Sequence, residues 1–162
     1  MNTPHDPQRD LVLERFANVP RHLVWAAWTQ PEHLKQWFTP KPWTISECEV
    51  DLRPGGRFKV LMHSPDGTEK STINGCYLEV VPHERLVWTD ALQAGYRPAE
   101  TPFITAIVTF ADEGTGTRYT ATVLHRDEAE RNRHEEMGFF DGWGTVWDQM
   151  VDYVKSGQVT AR

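Results

Sequence analysis

The sequence predicts an α+β domain in which a curved antiparallel sheet of six to seven strands wraps around one long C-terminal helix. Apolar residues alternate with period two across most of residues 43–124, as in strands with one buried face. Short breaks rich in Gly and Pro separate these segments. Such turns join antiparallel strands, because a parallel pair needs a longer crossover. Beyond them, large apolar residues recur at helical spacing from Phe139 to Val154.

The segment before residue 43 predicts one strand followed by two short helices. Asp10–Phe16 alternates as a strand does. Pro20 suits the first position of a helix, and Thr29 is expected to cap a second helix that has Pro31 at its start and ends at Pro40. The apolar residues of the two helices are Leu23, Val24, Ala27, Trp28, Leu34, Trp37 and Phe38.

Six further segments predict the remaining strands of the sheet. Turn sequences such as Pro54-Gly55-Gly56 and Pro65-Asp66-Gly67 separate them. The longer stretch Leu92–Pro102 predicts a loop near the mouth of a cavity. The six strand segments are Trp43–Leu52, Arg57–His63, Ser71–Val81, Arg85–Ala91, Phe103–Phe110 and Arg118–Leu124.

The chain after His125 predicts helical structure. A polar, charged segment, Asp127–Glu136, is separated by Gly138 from the main helix. That helix, Phe139–Ser156, would be about 27 Å long. Its apolar stripe needs a sheet to cover it. The stripe consists of Phe139, Phe140, Trp143, Val146, Trp147, Met150, Tyr153 and Val154.

The length and composition predict a single domain. The chain has 162 residues, of which 39% are hydrophobic and 25% are charged, a composition typical of globular proteins. No repeat or change of composition divides it. We expect one domain over residues 9–157, with flexible tails at residues 1–8 and 158–162.

The charge and the apolar pattern exclude several classes of function. A net charge of −6 repels nucleic-acid phosphates, and no basic run compensates for it. No stretch approaches the roughly 20 apolar residues of a spanning helix, and the polar start is unlike a signal peptide. Cys48 and Cys76 do not make a disulfide framework. We expect a cytoplasmic protein with reduced thiols that binds neither nucleic acid nor membrane.

A set of short motifs in a fixed order resembles a known family. The chain is similar to the homologues of the activator of heat-shock-protein ATPase, within the START-like helix-grip superfamily. The resemblance spans roughly Leu11 to Val154. The matching residues are Trp25, Trp28, Pro31-Glu32-His33-Leu34, Trp37, Pro40, Asp51-x-Arg53-Pro54-Gly55-Gly56-x-Phe58, Pro65-Asp66-Gly67, Gly75-x-Tyr77, Pro82-x-Glu84-Arg85-Leu86 and Gly138-Phe139-x-x-Gly142-Trp143.

The resemblance implies a helix-grip fold and a cavity between the sheet and the long helix. We expect a small apolar or aromatic ligand there, although the same aromatic residues could form a filled core. Gly142 and Gly144 each cost the helix up to about 1 kcal/mol relative to alanine, and either a close approach of the sheet or room for a ligand should compensate. The expected wall residues are Trp37, Phe58, Met62, Trp88, Phe139, Trp143, Trp147 and Met150.

Two residues are candidates for a polar part of the pocket. Arg53 could bind an anionic group of a ligand, or it could pair with Asp51 or Glu49 in a turn. His125 could enter the cavity mouth as an acid or base, or it could lie half exposed at a strand end. No metal-binding, nucleophile or dinucleotide motif is present. We therefore expect no metal, no cofactor and no catalytic residue.

Three functions stay open at this point. The first is a non-catalytic binding module for a small apolar ligand. The second is an enzyme of the polyketide cyclase or dehydratase type that uses His125 in the same cavity. The third is an interaction domain like the co-chaperone that gave the family its name. A homodimer formed through an edge strand is compatible with each of these functions.

Overall fold

The computed structural model describes residues 5–159 and contains nine strands and four helices within that range. The strands are β1 (Asp10–Ala17), β2 (Thr44–Val50), β3 (Arg57–His63), β4 (Lys70–Val81), β5 (Arg85–Thr89), β6 (Leu92–Gln93), β7 (Arg97–Pro98), β8 (Thr105–Glu113) and β9 (Gly116–Leu124). The helices are α1 (Arg21–Thr29), α2 (Pro31–Leu34), α3 (Glu128–Glu136) and α4 (Phe139–Lys155).

Seven of the strands form one antiparallel sheet in the order β1-β9-β8-β5-β4-β3-β2. Alternate residues of each strand face the helices, so Tyr119, Ala121 and Val123 of β9 are buried. This architecture confirms the predicted α+β helix-grip fold, with its two short helices after the first strand. Strands β1 and β2 are the edges of the sheet.

Helix α4 packs against the sheet through its apolar stripe. Phe139, Trp147, Met150 and Val154 are buried. Burying a side chain of this size stabilises the fold by about 1.5–3 kcal/mol. The Trp147 ring stacks on Tyr119 with 4.3 Å between centroids. This contact ties α4 to β9.

The second short helix ends earlier than the sequence predicted. Helix α2 stops at Leu34, and residues 35–39 form turns instead of continuing to Pro40. The reason is tertiary packing: the Trp37 indole donates to the carbonyl of Ala27 at 3.1 Å. Thr29 does not cap α2, because it ends α1 and its hydroxyl donates back to Trp25.

Two further expectations about local structure were wrong. The expected loop Leu92–Pro102 contains a small hairpin, formed by β6 and β7. Phe140 is 40% exposed, because the adjacent Phe139 occupies the buried position on α4.

The charged segment after Asp127 is helical, and the Asp127 carboxylate accepts from the backbone N–H of Glu130 as its cap.

The expected tails, residues 1–8 and 158–162, lie partly outside the described residues. Within the described part, the Asp6 carboxylate accepts from the Arg9 guanidinium at 2.7 Å. At the other end, Val159 is 5% exposed and belongs to the hydrophobic core. None of the helices within residues 5–159 is long and apolar enough to cross a bilayer.

Candidate ligand-binding site

A cavity of about 380 Å³ lies between the first turns of α4 and strands β3, β4 and β5 of the sheet. We call it the α4 cavity. Its volume is within the range of about 300–1,000 Å³ that is typical of small-molecule sites. Most of its lining is apolar. The lining residues are Trp28, Phe38, Pro40, Met62, Ser71, Thr72, Ile73, Trp88, Asp90, Phe103, Ile104, His134, Met137, Gly142, Trp143 and Val146.

Gly142 leaves open space on the face of α4 that lines this cavity. A Cβ atom added there would meet no atom within 4 Å. Gly144, the residue after Trp143, does not line the cavity. A Cβ atom added there would lie 3.6 Å from the Arg15 guanidinium. The two glycines of α4 therefore have different surroundings, and the one at position 142 contributes room inside the cavity.

Aromatic rings packed edge to face form the base of the cavity. Trp88 and Phe38 line the cavity, and both pack edge to face on Phe58, with ring centroids 4.8 and 5.7 Å away. The indole nitrogens of Trp28 and Trp88 are buried and have no acceptor among residues 5–159. A buried donor without a partner is costly, by about 1–3 kcal/mol.

Asp90 anchors the segment that forms one side of the cavity. Its Oδ1 atom accepts from the backbone N–H groups of Phe103 and Ile104 at 2.7 and 2.9 Å. The backbone N–H of Asp90 donates in turn to the carbonyl of Ile104 at 3.2 Å. One carboxylate therefore holds residues 103–104 in place as a wall.

A pair of histidines joins this wall to α3. The Nδ1 atom of His125 lies 2.9 Å from the carbonyl oxygen of Arg9, and its Nε2 atom lies 2.8 Å from Nδ1 of His134. Phe103 packs against both imidazoles, at 5.7 Å from His125 and 4.8 Å from His134. Of the two histidines, His134 lines the α4 cavity.

Burial favours the neutral form of both imidazoles. It lowers the pKa of His134 from its usual 6.5 to about 4, with smaller contributions from His125 and Arg133. Burial also lowers the pKa of His125, against an opposing effect of the hydrogen bond to the Arg9 carbonyl. At neutral pH the pair therefore carries no charge, in keeping with its apolar surroundings.

A second, more polar cleft of about 580 Å³ lies on the other side of this wall. Phe103 and Ile104 line both spaces, whereas His125 and Glu130 line only the second cleft. The guanidinium of Arg133 lies over the Phe103 ring at 4.6 Å from its centroid. The two bonded histidines thus connect the two spaces: His134 lines the α4 cavity and His125 lines the second cleft.

The structure brings together only some of the residues expected in a site. Met62, Trp88 and Trp143 line the α4 cavity. Arg53 is largely exposed, forms an ion pair with Asp51 at 2.9 Å, and lies outside the cavity. The remaining expected wall residues are buried in the core around the cavity: Trp37, Phe58, Phe139, Trp147 and Met150.

Sequence reasoning did not single out several residues that line the cavity. His134 lies in the charged segment Asp127–Glu136, whose mixed charges indicated a solvated helical surface. Asp90 and Phe103 come from the ends of separate strands, and only the fold brings them near α4. The loop predicted over Leu92–Pro102, near the mouth of a cavity, was the one feature of the sequence that pointed to this segment. Among residues 5–159, no group of three or more His, Cys, Asp or Glu side chains could hold a metal ion.

The sheet, the long helix and the space between them define a START-like helix-grip protein. A model of the family described as "Activator of Hsp90 ATPase homolog 1-like protein" matches residues 18–155. The chain therefore belongs to this family. No curated protein matches the chain by sequence.

Solved structures of bacterial proteins share the fold. A protein from Nitrosomonas europaea is 47% identical, with a TM-score of 0.91 over 95% of this chain and 99% of that one. A protein from Mycobacterium smegmatis is 21% identical, with a TM-score of 0.78 over 98% and 99% of the two chains. An AHSA1-like protein from Aeromonas hydrophila is 22% identical, with a TM-score of 0.69 over 94% and 97%.

Proposed function

We propose that this protein binds a small, mostly apolar or aromatic molecule in the α4 cavity, without catalysis. The observation that carries the proposal is the open, largely apolar space beside Gly142. A glycine inside a helix costs up to about 1 kcal/mol relative to alanine. Room for a bound molecule accounts for that cost, since no neighbouring backbone requires a glycine at this position.

Polar groups of the cavity support a ligand that is not a pure hydrocarbon. Ser71 and Thr72 are among the residues that line the cavity. His134 and Asp90 contribute further polar atoms to the lining. A few polar groups among apolar walls are typical of small-molecule sites.

A matched pair of leucine variants tests the proposal. In Gly142→Leu the new side chain should fill the cavity, whereas in Gly144→Leu it should lie beside Arg15 and leave the cavity open. Both variants replace one glycine of the same helix, so both should gain helix propensity. The probe is naphthalene, and NMR of the backbone amides measures its binding. Naphthalene should bind the parent and Gly144→Leu with similar affinity. It should bind Gly142→Leu at least tenfold more weakly.

Two results would contradict the proposal. One is equal naphthalene affinity in the two leucine variants, and the other is no binding to the parent at all. Native mass spectrometry of the protein from its own cells, followed by organic extraction, would then identify the natural ligand. A molecule retained by Gly144→Leu and lost from Gly142→Leu would be assigned to the cavity.

The other functions have less support than binding. An enzyme acting through His125 would need that side chain in the cavity, but His134 lines it instead. Activation of an ATPase belongs to the protein that gave the family its name, and the family match by itself does not extend it to this chain. We also propose a cytoplasmic location, which the unpaired thiols of Cys48 and Cys76 support.

A further inference from the structure

The hydrogen bonds of the histidine pair determine which nitrogen carries each proton. A carbonyl oxygen can only accept, so Nδ1 of His125 must be the donor to Arg9. A neutral imidazole has one N–H, so Nε2 of His125 is an acceptor. The 2.8 Å contact then requires a proton on Nδ1 of His134. His134 is left with a bare lone pair on Nε2.

This free acceptor belongs to a residue of the α4 cavity. His134 lines the cavity, and its Nε2 atom has no partner among the described residues. Phe103 and Phe139 pack against the ring, with centroids 4.8 and 5.1 Å away. They hold the ring in one orientation. The site therefore offers one fixed acceptor in surroundings where few other groups could satisfy a donor.

We propose that the cavity selects aromatic molecules that carry a hydroxyl or similar weakly acidic donor, and that Nε2 of His134 accepts this hydrogen. The inference rests on the proposed function and names the chemical class of its ligand. In this scheme His134 contacts the ligand. His125 is a positioning residue, because it keeps the proton of His134 on the nitrogen that points away from the ligand.

The charged side chains around the pair come from β1 and α3. Asp10 and Glu130 favour a protonated His125, whereas Arg131 opposes it. Arg133, on α3, opposes protonation of His134. Burial is the largest cause of the lowered pKa of His134 and keeps the ring neutral over the physiological range, so the acceptor is lost only when the pH falls to about 4.

Three probes of similar shape test the inference. 2-Naphthol can donate a hydrogen bond, 2-methoxynaphthalene can only accept one, and naphthalene can do neither. NMR titrations of the parent should show 2-naphthol binding about tenfold more tightly than either of the others, the effect expected of one good hydrogen bond. His134→Phe should abolish this preference, so that the three probes bind the variant with equal affinity. The dispersed amide spectrum of the variant serves as its folding control.

The outcomes separate this inference from the proposed function. Equal affinity of the parent for the three probes would overturn the inference and leave the cavity proposal intact. Equal affinity for 2-naphthol and 2-methoxynaphthalene, with naphthalene weaker, would also overturn it, because the ligand would then be an acceptor. Failure of all three to bind would contradict the proposed function.

The tautomers can be measured without any ligand. Nitrogen-15 spectra of the histidine side chains at pH 7 should show both His125 and His134 protonated on Nδ1. A proton on Nε2 of His134 would overturn the inference even if the His134→Phe variant did not fold. In His125→Phe, His134 should become a mixture of tautomers and the preference for 2-naphthol should fall. An unchanged His134 spectrum would contradict the positioning role of His125.

Discussion

Single residues decide what the α4 cavity can hold. Gly142 provides its space, because a side chain at that position would occupy it. His134 provides a polar atom whose protonation is defined by its neighbour. Neither residue is needed to form the sheet, so both can be changed while the architecture is kept.

Substitution of His134 should alter the pH dependence of stability. Burial lowers its pKa to about 4, so between about pH 6.5 and pH 4 the unfolded chain binds more protons at this ring than the folded protein does. The contribution of this pKa difference to the free energy of unfolding is fully present above pH 6.5 and is lost as the pH falls towards 4.

The expected size of this effect is about 2 kcal/mol, a figure reduced for the partial exposure of the ring. Urea unfolding should show that the parent loses about 2 kcal/mol more than His134→Phe between pH 7 and pH 4. Parallel stability curves for the two proteins would show that the ring is not held neutral by burial.

At the scale of elements, the segment between β5 and β8 determines the shape of the cavity. It contains the β6–β7 hairpin and then returns to the sheet at Phe103 and Ile104. The Thr89 hydroxyl donates to the carbonyl of Ile104 at 2.9 Å, next to the Asp90 anchor. The end of β5 therefore holds the wall between the cavity and the second cleft.

Removal of the Asp90 anchor should loosen this wall. Asp90→Ala leaves two backbone N–H groups without their acceptor and should lower the free energy of unfolding by about 1–3 kcal/mol. Hydrogen exchange at the amides of Phe103 and Ile104 should become faster than in the parent. Asp90→Asn keeps an acceptor oxygen and is the matched control. Equal exchange in the two variants would show that the carboxylate does not hold the segment.

The elements also show how far the sequence could be interpreted. Period-two segments and turn residues predicted the seven strands, because local patterns encode a half-buried sheet. The predicted end of α2 was wrong. The hydrogen bond from the Trp37 indole to the Ala27 carbonyl joins residues ten positions apart, so no local pattern of the sequence indicates it. His134 was missed for the same reason: its partners, His125 and Phe103, approach it only in the folded protein.

On the scale of the whole molecule, one part of the space between α4 and the sheet is filled by aromatic side chains, and another part holds the α4 cavity. Trp147, Tyr119 and Trp28 form a continuous aromatic contact from α4 through β9 to α1. This part of the grip is filled, while the other end of α4 stays open around Gly142 and Trp143. Strands β1 and β2 are the edges of the sheet, and β1 pairs directly with β9. A dimer formed through either edge stays a prediction.

The methionine methyl groups offer the most direct test of the central claim, that a small aromatic molecule binds in the α4 cavity. The chain has four methionines; Met62 and Met137 line the cavity, whereas Met150 is fully buried in the core. In carbon-13 methyl spectra, 2-naphthol should shift the signals of Met62 and Met137 and leave that of Met150 nearly unchanged. Saturating binding that left Met62 and Met137 unshifted would contradict the account.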